Sequence, residues 1–126
     1  MEKKIIYTEN APKPVGPYNQ AVLVANTLYV SGQIPLNPIT NTLIDSDISL
    51  ATKQVMENIG AILAEAQMDF NNVVKCTIFV RDMASFKDVN AVYFNYFPEY
   101  FPARETVEVS GLPLNSLVEI SAIAVR

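Results

Sequence analysis

A proline precedes the alternating pattern of a β-strand in the stretch Phe101-Pro102-Ala103-Arg104-Glu105-Thr106-Val107-Glu108-Val109. The proline ring fixes φ and removes a backbone donor, so the chain enters this strand in an extended conformation. Alternation gives the strand two faces, one with Arg104, Thr106 and Glu108 and the other with Val107 and Val109. A guanidinium held behind a stiff Phe-Pro dipeptide is suited to bind a planar carboxylate through two parallel hydrogen bonds. The alternative is that Arg104 pairs with a nearby glutamate.

The rest of the chain predicts the element order β-β-β-α-β-α-β-β. The predicted strands cover residues 3–7, 18–25, 28–32, 72–81, 104–110 and 116–125. The first predicted helix runs from a cap at Asp45, Ser46 or Asp47 to about Met68, and the second starts near Ser85 and has an apolar stripe that reaches Phe97. This order predicts one α+β domain over residues 1–126, with two helices on one face of a sheet.

Two helices cover only one face of such a sheet, and alternation separates the two faces. The residues expected to face the helices are Val74, Cys76, Ile78, Val80, Val107, Val109, Val118, Ile120, Ala122 and Ala124. The opposite face mixes apolar and charged side chains, such as Phe79 and Ile123 with Lys75 and Glu119. Neither a solvated nor a buried face usually has this mixture, so we expect a closed homo-oligomer with polar clefts between subunits.

Arg104 and Glu119 lie in two strands joined by a short turn around Gly111. Alternation predicts that both side chains point to the uncovered face, where they would share a site. A simple salt bridge between them is the alternative.

Composition excludes several classes of function. Half of the residues are apolar, the net charge is −4, and no basic run is present, so a nucleic-acid partner is not expected. The chain has no histidine, one cysteine (Cys76) and four glycines, which argues against a metal site and a phosphate-binding loop. No apolar run is long enough to span a bilayer, and the residues after Met1 are too polar for a signal peptide. We therefore expect a cytoplasmic protein without a membrane partner.

Five sequence blocks occur in order at matching spacing: Val15-Gly16-Pro17-Tyr18, Val30-Ser31-Gly32-Gln33-Ile34-Pro35, Phe79-Val80-Arg81-Asp82-Met83, Val89-Asn90-Ala91-Val92-Tyr93 and Phe101-Pro102-Ala103-Arg104. Through these blocks the chain resembles the RidA group of the Rid (YjgF) family, the reactive-intermediate deaminases. The resemblance extends from Thr8 to Arg126.

The resemblance implies a chorismate mutase-like fold that assembles as a homotrimer, with the sheets inside, the helices outside and clefts between subunits. It also implies hydrolysis of 2-imino acids and their enamine tautomers, such as 2-iminobutanoate and 2-iminopropanoate, to 2-oxo acids and ammonia. The small imino or 2-oxo acid would be the partner, and no metal or cofactor would be needed.

By position in the family pattern, Arg104 would hold the substrate carboxylate and Glu119 would hold the attacking water. Further substrate contacts would come from Tyr18, Ser31, Gly32, Asn90 and Thr106. Thr106 stands where many RidA members have a cysteine, so thiol-based regulation does not carry over to this position.

Structural alternatives exist for most of these residues. Tyr18 could pack in a hairpin, Asn90 could be a cap or a surface residue, Ser31 and Gly32 could end a strand, and Cys76 could be a small core residue. Tyr93, Tyr96, Phe97 and Tyr100 are expected to pack in the core and the interface.

Two rival functions share the same fold. One is a regulatory protein that binds a small carboxylate without catalysis, and the other is an RNA-acting translation inhibitor. Glu119 argues against the first, because an anion sensor gains nothing from a carboxylate at its site. The net negative charge argues against the RNA-acting translation inhibitor.

Overall fold

A six-stranded mixed sheet forms the centre of the computed structural model, which describes residues 1–126. The elements in chain order are β1 (Lys3–Ile6), β2 (Ala21–Val24), β3 (Thr27–Gln33), α1 (Ile48–Glu65), β4 (Val73–Val80), α2 (Phe86–Phe94), β5 (Ala103–Glu108) and β6 (Val118–Val125). The strand order is β1-β2-β3-β6-β4-β5, and only β4 and β5 are parallel, with α2 in their connection. The predicted element order and the α+β class, with two helices on a mixed sheet, are confirmed.

Helix α1 begins at an aspartate cap. The carboxylate of Asp47 accepts a hydrogen bond of 3.0 Å from the backbone N–H of Leu50, so Asp47 is the cap among the three candidates. The helix ends at Glu65, before Met68, and Gln67 turns the chain with a φ of 60°. Neither helix has the length and apolar character to span a membrane.

The core lies between the helices and the sheet. The α1 residues Val55, Ile59 and Ile62 are buried against the inward residues of the central strands. On β6 these are Val118, Ile120, Ala122 and Ala124, as predicted from alternation. On β4 they include Cys76, Ile78 and Val80.

The prediction for Val74 is wrong. Its side chain is exposed, and Val73 is buried in its place. The pairing of β4 with β6 shifts register between Val73 and Lys75, which is a β-bulge. A bulge adds one residue to one strand, so alternation counted back from Cys76 assigns the wrong face beyond it.

The predicted faces of β5 are reversed. Its parallel register pairs Cys76 with Arg104, Ile78 with Thr106 and Phe79 with Val107. Paired residues share a face, so Arg104 and Thr106 lie on the helix side with buried Cys76 and Ile78. Val107 lies on the uncovered side and is exposed. Moreover, β5 and β6 do not pair, because β4 lies between them.

Three other elements are shorter than predicted. Strand β2 starts at Ala21 instead of Tyr18, and β6 starts at Val118. Helix α2 ends at Phe94, so Tyr96 and Phe97 lie beyond its end, although Phe97 is still buried. Tyr100 is 84% exposed and is therefore not a core residue of the protomer.

Candidate functional site

Six of the seven predicted site residues line two cavities, and Thr106 lines neither. The first, called the Arg104 half-site, is lined by Asn90, Tyr93, Phe94, Phe101, Pro102 and Arg104. The second, called the Glu119 half-site, is lined by Val15, Tyr18, Ser31, Gly32, Ile34, Pro113 and Glu119. Their volumes are similar, about 310 and 330 Å³.

In the Arg104 half-site the guanidinium is fixed by groups that carry no charge. Arg104 Nη1 donates a hydrogen bond of 2.8 Å to Asn90 Oδ1 on α2. The guanidinium carbon lies 5.0 Å from the ring centroid of Tyr93 and 5.6 Å from that of Phe86. These are cation–π distances, so two aromatic rings and one amide hold the cation without neutralising it.

The guanidinium of Arg104 has no acidic partner. The single salt bridge of the structure joins Lys75 Nζ to Glu105 Oε1 at 3.0 Å. The two alternatives in which Arg104 pairs with a nearby glutamate or with Glu119 are therefore wrong. A partly buried, oriented and unpaired guanidinium in a cavity is typical of an anion-binding site.

Two hydroxyl groups near Arg104 lack a strong hydrogen-bond partner. The only buried side-chain oxygen and nitrogen atoms without a nitrogen or oxygen partner are Tyr93 Oη and Thr106 Oγ1. Tyr93 Oη has the thiol of Cys76 beside it, and a thiol is a weak hydrogen-bonding group. Thr106 follows Arg104 by two residues on the same face of β5, and the ring of Tyr93 contacts the guanidinium. Since buried polar atoms normally have partners, their concentration around one cation indicates a place for a polar ligand.

In the Glu119 half-site the carboxylate lies directly over Gly32. A Cβ atom at position 32 would be 2.6 Å from Glu119 Oε2 and 2.8 Å from its Cδ. Gly32 has no positive φ, so the glycine is required here for space and not for backbone conformation.

The carboxylate of Glu119 is unpaired as well. It takes part in no salt bridge, and burial raises its pKa above the usual 4.5 because a half-buried carboxylate loses hydration. A raised pKa makes the carboxylate a stronger proton acceptor, which suits a group that takes a proton from water.

The loop that carries Tyr18 is held by a residue that sequence reasoning missed. Gln20 is buried, accepts a 2.8 Å hydrogen bond from Thr8 N and donates to the carbonyl oxygens of Thr8 and Pro12 at 2.9 Å each. Ser31 ties the next turn down, because its hydroxyl donates to Asn19 O at 2.6 Å. The exposed ring of Tyr18 is thus presented at the cavity by a fixed loop.

The structure brings Tyr18, Ser31, Gly32 and Glu119 together, but it separates Glu119 from Arg104. Glu119 pairs with Phe79 of β4, whereas Arg104 pairs with Cys76 of the same strand. Residues of a strand that are an odd number of positions apart point to opposite faces, and Cys76 and Phe79 are three positions apart. The prediction that both groups share the uncovered face is therefore wrong. One protomer holds the two groups on opposite sides of its sheet.

The structure also settles the status of the remaining candidates. Asn90 lies inside α2 and accepts from Arg104, so it is neither a cap nor a free surface residue. Cys76 is a core residue, and burial raises the pKa of its thiol to about 11. Sequence reasoning assigned no site role to Phe94, Phe101 and Pro102, although Phe101 and Pro102 adjoin the key strand.

For the imine hydrolysis that the family resemblance implies, we expect Gly32→Ala to lower kcat/KM by about ten- to a hundredfold while the fold persists, because the new methyl group displaces the Glu119 carboxylate. The displaced atoms belong to the end of a flexible side chain, so the thermal midpoint should change little. The matched control is Gly111→Ala, since a Cβ at position 111 meets no atom within 4 Å. Equal activities of the two variants would contradict the role given to this contact.

Comparison with known proteins agrees with this fold. Residues 8–126 match the family model described as endoribonuclease L-PSP. A RutC family protein of Pyrococcus abyssi is 50% identical over 126 residues, which cover 100% of this chain and 99% of the relative. The 2-iminobutanoate/2-iminopropanoate deaminase of Bos taurus is 47% identical over 124 residues, which cover 98% of this chain and 90% of the relative.

A solved structure gives the same result in three dimensions. The crystal structure of the YjgF gene product of E. coli superimposes with a TM-score of 0.93 at 43% identity and covers 98% of each chain. With the family match over nearly the whole chain, these similarities lead to one conclusion: the chain belongs to the endoribonuclease L-PSP family, also known as the Rid (YjgF) family.

Proposed function

We propose that the protein hydrolyses 2-imino acids, including 2-iminopropanoate and 2-iminobutanoate, to 2-oxo acids and ammonia. The observation that carries this proposal is the presence of two unpaired, oriented groups of opposite charge, Arg104 and Glu119, in two separate open cavities. The similarity to the bovine deaminase supports the reaction type.

The proposed active site forms where two copies of the chain meet. Arg104 and Glu119 of one protomer lie on opposite faces of its sheet, so they cannot both contact one small substrate. The Arg104 half-site of one copy facing the Glu119 half-site of the next would bring them together. Such a head-to-tail contact closes into a ring when the rotation from one copy to the next divides a full turn, and we propose a homotrimeric ring.

The uncovered face of the sheet supports such an assembly. Ile5, Tyr29 and Val107 are all more than 40% exposed there, which is a large apolar surface for a monomer. Burial of this face between subunits would remove that surface from water.

In the proposed reaction Arg104 binds the carboxylate with two parallel hydrogen bonds, while Thr106 Oγ1 and Asn90 complete the anion site. Tyr18, Ser31 and the Gly32 backbone contact the substrate from the other half-site. Glu119 accepts a proton from water as the water oxygen bonds to the imine carbon, and the C=N electron pair moves to nitrogen. Return of this proton to nitrogen gives a carbinolamine, with a hydroxyl group and an amino group on the same carbon. Glu119 then transfers the proton of that hydroxyl group to the amino nitrogen, the C–N bond breaks to release ammonia, and the oxygen forms the carbonyl of the 2-oxo acid.

The chemistry needs little beyond orientation, because a protonated imine carbon is already electrophilic. A role on RNA is less well supported, despite the name of the family model. The chain has 13 acidic and 9 basic residues and lacks a basic run, and this composition argues against a surface for phosphate contacts.

The test is an assay in which 2-iminopropanoate is generated in situ and 2-oxo acid release is followed in competition with semicarbazide, which traps imines. We expect acceleration over buffer, with kcat/KM falling at acid pH. Glu119 must be ionised to accept a proton and its pKa lies above 4.5, so activity is full above the raised pKa and is lost as the pH falls through it. A folded protein that gives no acceleration at any pH would refute the proposed function.

A further inference from the structure

The Arg104 half-site has a wall that the proposed reaction on small imines does not use. Beyond the guanidinium, the cavity is bounded by Phe94, Phe101 and Pro102, here called the aromatic wall. Phe94 is 63% exposed and Phe101 is 57% exposed, and their ring centroids lie 5.3 Å apart. Large aromatic rings exposed side by side at a cavity are typical of a surface that binds an apolar group.

The aromatic wall is supported by packing within the protomer. The ring of Phe101 contacts Phe97 at a centroid distance of 6.3 Å, and Phe97 is itself buried beside Tyr93. Pro102 fixes the backbone directly after Phe101. A preformed apolar surface loses little conformational entropy when a ligand packs on it.

The two ends of this cavity have different chemistry. One end presents the guanidinium of Arg104 with Asn90, and the other presents only apolar side chains. The volume of about 310 Å³ is at the lower end of the range for small-molecule sites, about 300–1,000 Å³. A side chain of one or two carbons would leave much of the aromatic wall in contact with water.

We propose that the aromatic wall binds the substrate's side chain, and that the protein prefers 2-imino acids with branched or aromatic apolar side chains over 2-iminopropanoate. This inference rests on the proposed function. With the carboxylate on Arg104, the apolar side chain extends along Phe101 and Phe94, and the imine carbon faces the cavity mouth, where the Glu119 half-site of the next copy would supply water.

The test compares two substrates in the same sample. A D-amino acid oxidase converts D-leucine and D-alanine to the corresponding imino acids, and kcat/KM above buffer is measured for each. The decisive quantity is the ratio of the two values. Because a loss of folded or assembled protein lowers both values alike, the ratio reports only substrate preference.

We expect the leucine-derived imine to be favoured about tenfold by the wild type, since added carbon atoms in an apolar pocket are worth at least that much. Phe101→Ala should lower this ratio about fivefold or more, mainly through KM for the larger substrate. The matched control is Tyr100→Ala, because Tyr100 is the adjacent exposed aromatic residue and does not line this cavity. Its ratio should equal that of the wild type.

Two results would overturn the inference: a wild type without preference for the larger imine, or a Phe101→Ala variant with an unchanged ratio. If neither imine is hydrolysed, the proposed function fails, and calorimetry with the 2-oxo acids then tests the aromatic wall separately. Tighter binding of 4-methyl-2-oxopentanoate than of pyruvate, lost in Phe101→Ala, would support it, and equal binding would refute it.

Discussion

Replacement of Arg104 by alanine is expected to lower kcat/KM for 2-iminopropanoate by about a hundredfold or more. The guanidinium is the single charged group of its cavity and has no acidic partner in the protomer, so its charge is available for an anionic ligand. Removal of one member of a buried, hydrogen-bonded charge pair costs about 2–5 kcal/mol, which corresponds to a factor of roughly 30 to several thousand. The loss should appear in steady-state assays over a range of imine concentrations.

The variant Arg104→Lys separates charge from geometry. Lysine retains a positive charge but cannot donate two parallel hydrogen bonds to one carboxylate, and its ammonium is compact and strongly hydrated. We therefore expect a loss of about tenfold or more even though the charge is kept. Rates close to those of the wild type would show that the two-pronged contact is not needed.

Arg126→Ala is the matched control for the loss of one guanidinium. Arg126 donates to the carbonyl oxygen of Ala66 at 2.8 Å, and it lines neither half-site. Its removal should leave kcat/KM near that of the wild type. A comparable loss of kcat/KM in Arg126→Ala would mean that the effect of Arg104→Ala reflects lower stability. Circular dichroism and thermal unfolding of both variants would test this explanation.

The faces of β5 show what alternation can and cannot predict. The pattern correctly grouped Arg104 with Thr106, but it gave no information on which group faces the helices. Valine was expected to be inside because it is apolar. In the folded chain α2 places Asn90 and the rings of Tyr93 and Phe86 where they bind a guanidinium, so the helix side accepts Arg104. That environment is built by residues distant in sequence.

The predictions for the face of Val74 and for the start of β2 were wrong because both depend on contacts that the local sequence does not show. A bulge near Val74 reverses the alternation, and nothing in the residues themselves marks the extra position. Strand β2 starts at Ala21 instead of the predicted Tyr18, because the side chain of Gln20 forms a hydrogen bond with the backbone of Thr8, twelve residues away. In contrast, the start of α1 depends on neighbours in sequence, and its cap at Asp47 was among the three predicted candidates.

The site was predicted as a set of residues but not as an arrangement. Family resemblance identified Arg104, Asn90, Gly32 and Glu119, and each lies at a cavity. Their division between two faces follows from the insertion of β4 between β5 and β6, which is a property of sheet topology. The short turn between the two strands in sequence wrongly implied that they were neighbours in space.

This division leads to the second large effect: two inactive variants should restore activity when they assemble together. In a head-to-tail ring each active site takes its Arg104 half from one protomer and its Glu119 half from the next. A Glu119→Gln protomer still provides an intact Arg104 half, and an Arg104→Ala protomer still provides an intact Glu119 half. In a random equal mixture, the protomer that supplies the Arg104 half of a given site is Glu119→Gln with a probability of one half. The protomer that supplies the Glu119 half is Arg104→Ala with the same probability, so we expect about a quarter of the wild-type activity.

The measurement requires an unselected mixture of rings, which refolding of equal amounts of the two variants from denaturant would provide. The matched control is Arg104→Ala mixed with Arg104→Lys, since every Arg104 half-site is then altered and the activity should remain that of the separate variants. An activity of the Arg104→Ala and Glu119→Gln mixture no higher than the mean of its components would contradict a site shared between protomers. Recovery near a quarter would mean that the separation of Arg104 from Glu119 within one chain is resolved by assembly, and that an isolated protomer lacks a complete active site.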